Sequence, residues 1–225
     1  MQKFTYHSLA ELLTAAESCG VSLPHSADLS VLDTEKQIGT SHVKLKNRLT
    51  IHPMEGFDGN EDGSPGEWTM RRCERFAQGG AGLIWLEATA VVEEGRTSSS
   101  QLWLHDGTLD AFKALAERMH ALSGGTPLIL QLTHSGRFSR PHNIPAPVIS
   151  YHNPLMNEKM RIDPDYPVVT DEYLDTLPEK FGYAAKLARE AGFDGVDIKC
   201  CHKYLFSELL SAYNRPGRYG GSLEN

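Results

Sequence analysis

The chain is short of the signals that mark most nucleotide-cradling enzymes, hydrolases and metalloproteins. Its 225 residues contain no C-x-x-C pair, no G-x-G-x-x-G or Walker loop and no G-x-S-x-G elbow. Ten histidines are present but none pair as H-x-x-x-H. Cys200, Cys201 and His202 in a row cannot all point at one ion, because successive side chains of an extended segment alternate faces. Positive charge is scarce as well. Twenty-two Lys and Arg against 29 Asp and Glu give a net charge of -7, which leaves no basic face to displace counterions from phosphates, so no nucleic-acid partner is expected. The four cysteines, Cys19, Cys73, Cys200 and Cys201, show no disulfide framework, and a reducing cytoplasm fits them best. The apolar stretch Leu9 to Ala16 is too short, and too interrupted by Glu11, for a signal h-region or a membrane span, so no membrane partner is expected.

What is present suits one ordinary globular domain: 40% hydrophobic residues and 8% aromatic, enough to bury a core. Leu9, Leu12, Leu13 and Ala16 stand at helical spacing before Gly20, a plausible helix-ending residue, so residues 1–35 read as a leader helix and loop. From residue 36 to 225 strands and helices alternate. Arg48 to Ile51, Gly82 to Glu87, Pro127 to Leu132 and Phe193 to Ile198 read as strands; Glu67 to Phe76, Leu109 to Leu122 and Asp171 to Glu190 read as helices, the last two with Thr108 and Thr170 as N-caps. Short apolar runs separated by helices call for parallel strands joined by crossovers, an α/β fold. The connection from Phe138 to Val169 is too long for an idle turn and is a candidate lid.

The last strand delivers Lys199, His202 and Tyr204 at its carboxyl end, where barrel and open α/β enzymes put their chemistry. Spacing alone also allows a plainer arrangement, and favours it: Lys199 capping a rim, His202 packed on a helix, Tyr204 filling core.

Three motifs carry more than spacing. Asn47-Arg-Leu-Thr-Ile-His-Pro-Met-Glu55, Gln131-Leu-Thr-His-Ser-Gly-Arg137 and the run from Phe193-Asp-Gly-Val-Asp-Ile-Lys-Cys-Cys-His202-Lys-Tyr204 to Arg218-Tyr-Gly-Gly-Ser-Leu-Glu-Asn225 resemble the Old Yellow Enzyme family of flavin-dependent ene reductases, in that family's order and spacing. The resemblance implies a (β/α)8 TIM barrel truncated to roughly its first four strands, since such a barrel takes about 250 residues and Tyr219 to Asn225 match the point where members enter their fourth barrel helix. It implies FMN as cofactor, NADH or NADPH as reductant, a small-molecule substrate and, at full length, a possible homo-oligomer. The reduced flavin would pass hydride to the β-carbon of an activated alkene while Tyr204 supplies the proton, and Lys199 and His202 would hold the acceptor's oxygen. The turn His52-Pro53-Met54-Glu55, Ala88 just after the second strand and Gln131 ending the third would contact the flavin; His134 and Arg137 would be scaffold for the lid.

The chain departs from the family's pattern at three of these places. Lys199 stands where members have a histidine and brings a full charge on a longer arm, which would favour anionic acceptors. Glu55 stands where the residue is usually small or polar; a carboxylate there would lower the flavin's potential unless it turns away to pair with an arginine. Phe57 replaces the tyrosine some members carry. The rival expectation is a catalytically inert fragment or a subunit that needs a partner, because the phosphate loops of such barrels follow strands seven and eight. A related alternative is the N-terminal part of an iron–sulfur flavoenzyme resembling trimethylamine dehydrogenase or 2,4-dienoyl-CoA reductase.

Overall fold

The structure, a computed structural model, describes residues 4–40, 43–222 and 224; Leu223 and Asn225 of the closing motif lie outside the described residues. Helix α1 (Leu9–Ser18) starts at Ser8, whose Oγ accepts from the Glu11 N–H at 3.2 Å, and gives way to Gly20 in the left-handed region at φ 70°. None of its residues is buried. A short antiparallel pair follows, β1 (Lys36–Gln37) with β2 (Lys44–Leu45), which the apolar pattern does not announce.

The remaining elements are β3 (Thr50–Ile51), α2 (Glu67–Gln78), β4 (Leu83–Ala90), α3 (Leu109–Ser123), β5 (Leu128–Thr133), α4 (Pro154–Met160), α5 (Asp171–Glu190), β6 (Gly195–Ile198) and α6 (Leu205–Leu209). The four main strands pair in parallel in the order β3-β4-β5-β6. Helices α2 and α3 pack on each other, as do α3 and α5, so the crossovers cover one face. A doubly wound sheet would reverse its strand order and carry helices on both faces; this one advances in a single direction, as a barrel wall does. Leu128, Leu130 and Leu132 join Phe112, Leu115 and Met119 in the core beneath the helices, and strand alternation turns Ile129, Gln131 and Thr133 to the opposite face.

Several boundaries and caps differ from the sequence reading. Strand β3 is only Thr50–Ile51, the stretch that pairs with Leu83 and Ile84. Strand β4 runs on to Ala90, because a register shift between Leu86 and Thr89 lets it resume pairing with β5; Ala88 therefore lies inside the strand, not after it. Strand β5 ends at Thr133, so Gln131 is two residues short of its end. Thr108 precedes α3 but its hydroxyl does not cap the helix: it donates to Trp103 O at 2.9 Å and accepts from the His105 N–H at 3.1 Å. Thr170 does cap α5, accepting from the Tyr173 N–H at 3.2 Å. The long connection after Phe138 contains α4 and pairs Ile149 with Val168. After β6 comes the short helix α6, and residues 219–222 form a turn and bends rather than a helix.

Strand β6 ends the sheet, and Val196 and Ile198, 38% and 49% exposed, face an apolar groove shared with Leu177, Phe181 and Phe206. An unpaired edge beside an apolar groove is a template for association. The 225-residue chain is expected to elute from size-exclusion above its monomer mass at micromolar concentration, and Ile198→Lys to shift it toward monomer. A well-behaved monomer with a sharp melt would count against this reading of the edge.

Candidate active site

The carboxyl ends of four parallel strands lie on one rim, and the chain builds there from β3 outward. Gly56 follows Glu55; its N–H donates to Glu87 Oε2 of β4 at 2.8 Å, and Arg72 of α2 bridges the same carboxylate to Asp58, at 2.7 Å to Asp58 Oδ2. Burial pushes the Glu87 pKa up, against the pull of the Gly56 N–H and the Arg72 guanidinium. A Cβ at position 56 would lie 2.0 Å from Arg72 Nη1, so glycine is required for this packing. Phe57 pays with a left-handed backbone, φ 51°. The arrangement fixes Glu55, and it commits Arg72 elsewhere.

Glu55 turns to Lys199, not to an arginine. Lys199 Nζ stands 3.7 Å from Glu55 Oε2, and the Tyr204 hydroxyl donates to the same oxygen at 3.4 Å. Glu55 Oε1 accepts from Gln101 Nε2 at 2.6 Å, and the same amide reaches Ala88 O at 3.1 Å. Lys199 Nζ lies 4.6 Å from the centre of the Tyr204 ring, and Phe138 packs against the same ring at 5.9 Å between centroids. Lys199 and Tyr204 are buried, at 7% and 8% exposure. Burial raises the Glu55 pKa, with Lys199 opposing; burial and the Glu55 charge both push the Tyr204 phenol up. Both readings of Tyr204 therefore meet in one residue: its ring fills core and its hydroxyl points into the rim.

His202 sits at the mouth of this cluster, exposed and left-handed at φ 59°, its Nδ1 2.9 Å from Cys201 Sγ and its ring 6.1 Å from Tyr204. It is not packed on a helix. Gln131 lies one layer deeper, its Nε2 donating to Asp197 Oδ2 of β6 at 2.7 Å, which leaves the amide oxygen to accept. Its partner is thus a neighbouring strand, not its own backbone. His52 and Met54 are exposed and Pro53 half-buried next to Glu55. The structure therefore gathers Lys199, Tyr204 and Gln101 around Glu55, with Gln101 tying the Ala88 carbonyl to them, and sets Gln131 below. Gln101, Glu87 and Asp197 carry no spacing signal; only strand pairing and loop closure reveal them.

Behind the rim, His134 is fully buried. The Gly136 N–H donates to its Nδ1 at 3.0 Å, so the proton resides on Nε2, which donates to Tyr173 Oη at 2.7 Å; Tyr173 in turn donates to Glu94 at 3.2 Å. A second ring proton would face the Gly136 N–H, and burial holds the pKa down to about 4. In the unfolded chain the same ring takes up a proton near 6.5. Stability is therefore complete above that pH and falls by about 3 kcal/mol as pH drops toward about 4. Urea midpoints at pH 7.5 and 5.0 check this: the drop should shrink in His134→Gln, and an equal drop would refute it.

Arg137, with no exposed surface, pairs with Glu208 of α6 and donates to Asn157 Oδ1 at 2.6 Å and Tyr151 O at 2.8 Å. It ties the 138–169 connection to the rim, the scaffold role expected of it.

A profile of the NADH:flavin oxidoreductase / NADH oxidase family matches residues 36–225. The chain belongs to that family. It is 35% identical over 187 residues to an NADPH dehydrogenase of Halalkalibacterium halodurans, covering 81% of this chain and 53% of the relative, and 35% identical over 188 residues to an NADPH dehydrogenase of Listeria monocytogenes with the same coverage. The chain thus spans about half the length of the relatives it matches. Among solved structures, the Old Yellow Enzyme of Pichia sp. AKU4542 superposes with a TM-score of 0.72 at 25% identity, covering 87% of this chain and 53% of that one. The Old Yellow Enzyme homologue of Zymomonas mobilis superposes at 0.70 and 25% identity, covering 86% and 56%. These neighbours are TIM barrels, and the parallel α/β sheet of this chain matches part of that architecture. Among the described residues, no helix is long and apolar enough to cross a membrane.

Proposed function

We propose that the chain is the N-terminal half of an FMN-dependent oxidoreductase that uses NADH or NADPH to reduce activated alkenes, with residues 36–225 forming the first four strands of its barrel. The observation that carries this reading is the buried Tyr204 hydroxyl at the carboxyl end of β6, gathered with Lys199 and Glu55 on the rim above Gln131.

The residues present suit the ring of a flavin. Gln131 keeps its amide oxygen to accept from a ring N–H, and Thr133, two residues on and on the same face, holds a buried hydroxyl with no partner among the described residues. The main chain of Pro53 to Glu55 and of Ala88 would border the ring from the neighbouring strands. When bound, the flavin supplies the hydride chemistry between nicotinamide and acceptor. Tyr204 holds a proton at its hydroxyl for the carbon beside the acceptor's electron-withdrawing group, Lys199 donates to that group's oxygen, and His202 stands at the mouth where it can make a second contact. Phe138 covers the Tyr204 ring and shields that side from water.

Purified protein reconstituted with FMN, in the full-length form, should be yellow, should not retain FAD in its place, and should hold FMN less tightly after Gln131→Ala. Colourless protein would refute the proposal. The barrel segment alone should bind FMN more weakly than the full-length protein, because barrels of this type seat the phosphate on loops after strands seven and eight.

A further inference from the structure

One oxygen, Glu55 Oε2, takes both Lys199 Nζ at 3.7 Å and the Tyr204 hydroxyl at 3.4 Å, while the other accepts from Gln101 at 2.6 Å. The carboxylate side chain is 13% exposed and the lysine side chain 7%. The two groups that would meet an acceptor are therefore held by a third that the family resemblance implies belongs to the flavin-contacting turn. The Gly56 N–H binds Glu87 and Arg72 is committed to Asp58 and Glu87, so that guanidinium is not the partner of Glu55. Besides Lys199 and Tyr204, the ionisable groups bordering the cluster are His202 and Cys201, both exposed. The ammonium is thus paired before any ligand arrives.

We propose that Glu55 is a specificity-determining positioning residue, holding Lys199 and Tyr204 on one carboxylate oxygen so that the ammonium offered to an acceptor is already neutralised and the site discriminates against acceptors carrying a negative charge. This deepens the reading of the site as an alkene reductase and rests on it. It also reverses the expectation from Lys199 alone, since an unpaired ammonium would favour anionic acceptors. Two opposite charges within 4 Å and shielded from water interact strongly, and an incoming carboxylate would have to displace Glu55 from Lys199 or lie beside it as a like charge.

Two measurements test the proposal. The first needs no flavin: a double-mutant cycle in urea with Glu55→Gln, Lys199→Met and the double variant. Removing one partner leaves a buried charge uncompensated, and removing both relieves it, so the double variant should lose less stability than the two single losses added. Additive losses overturn the pairing. The second is calorimetric binding of trans-2-butenoate and its isosteric neutral amide, trans-2-butenamide, to the FMN-loaded full-length protein. Glu55→Gln should shift the ratio of dissociation constants toward butenoate by roughly tenfold or more, whereas Glu55→Asp, which keeps the charge, should stay close to the parent ratio. An unchanged ratio in Glu55→Gln, or a Glu55→Asp variant that behaves like Glu55→Gln, overturns the specificity role. If the protein takes up no FMN, the flavoenzyme reading fails, and the urea cycle still decides whether Glu55 and Lys199 act as a pair.

Discussion

Replacing Tyr204 with phenylalanine is expected to slow alkene reduction by about 10²–10⁴-fold, the usual contribution of a positioned general acid, and to leave reduction of the flavin by the nicotinamide nearly untouched. The asymmetry follows from the geometry. The ring is held in place by Phe138 and by the ammonium over its face, so phenylalanine fills nearly the same volume, and what is lost is the hydroxyl with its proton and its bond to Glu55. Burial and the neighbouring Glu55 carboxylate push the phenol's pKa up, so in the proposed role its proton is in place at neutral pH. Stopped-flow measurement of the two half-reactions on the full-length enzyme separates them. Equal losses in both would show that the substitution disturbs the site as a whole, and no loss in alkene reduction would remove Tyr204 from the role of proton donor.

Replacing Arg137 with alanine is expected to destabilise the fold by about 3–5 kcal/mol, the cost of leaving one member of a buried ion pair without its partner. Against a total of about 5–15 kcal/mol for a domain, that loss approaches unfolding. Arg137 joins the loop after β5 to α6 through Glu208 and to the 138–169 connection through Asn157 and Tyr151; Glu208 also accepts from Ser150, at 3.2 Å from both its N–H and its hydroxyl. Loss of the guanidinium therefore frees three segments at once. The urea midpoint and the rate of proteolysis within residues 138–169 report the two consequences. Pairing Arg137→Met with Glu208→Gln should recover part of the stability, because the unmatched charge is then absent. A single variant with an unchanged midpoint would show that the pair contributes nothing.

The local grammar of the chain predicted most of its elements. Apolar runs marked the four main strands, helical spacing marked α1, α3 and α5, and Thr170 capped α5 as its position suggests. Differences arose where a competing bond, in the adjoining loop or on another strand, overrode the preferred local one. Thr108 was drawn away from its helix by Trp103 and His105, and β4 outran its apolar run because a register shift restored its pairing with β5. The rim shows the same division. Lys199, Tyr204 and Gln131 were visible from motif and strand position, whereas the partners of each were not: Gln101 comes 46 residues after the Glu55 it binds, and Tyr204 comes 149 after it.

By itself the sequence determined the class of fold, the family and the residue types on the rim, because hydrophobic periodicity and short motifs act over a few neighbouring residues. Only the tertiary structure decided which charges meet. Lys199 reads from the sequence as a bare cation and is in the fold one half of a pair; Glu55 reads as a carboxylate beside a flavin and is in the fold the group that holds lysine and tyrosine together. The physical reason is that a charge buried away from water must find its partner across strands, and the register of β3 through β6, which no local pattern encodes, sets the distance between them.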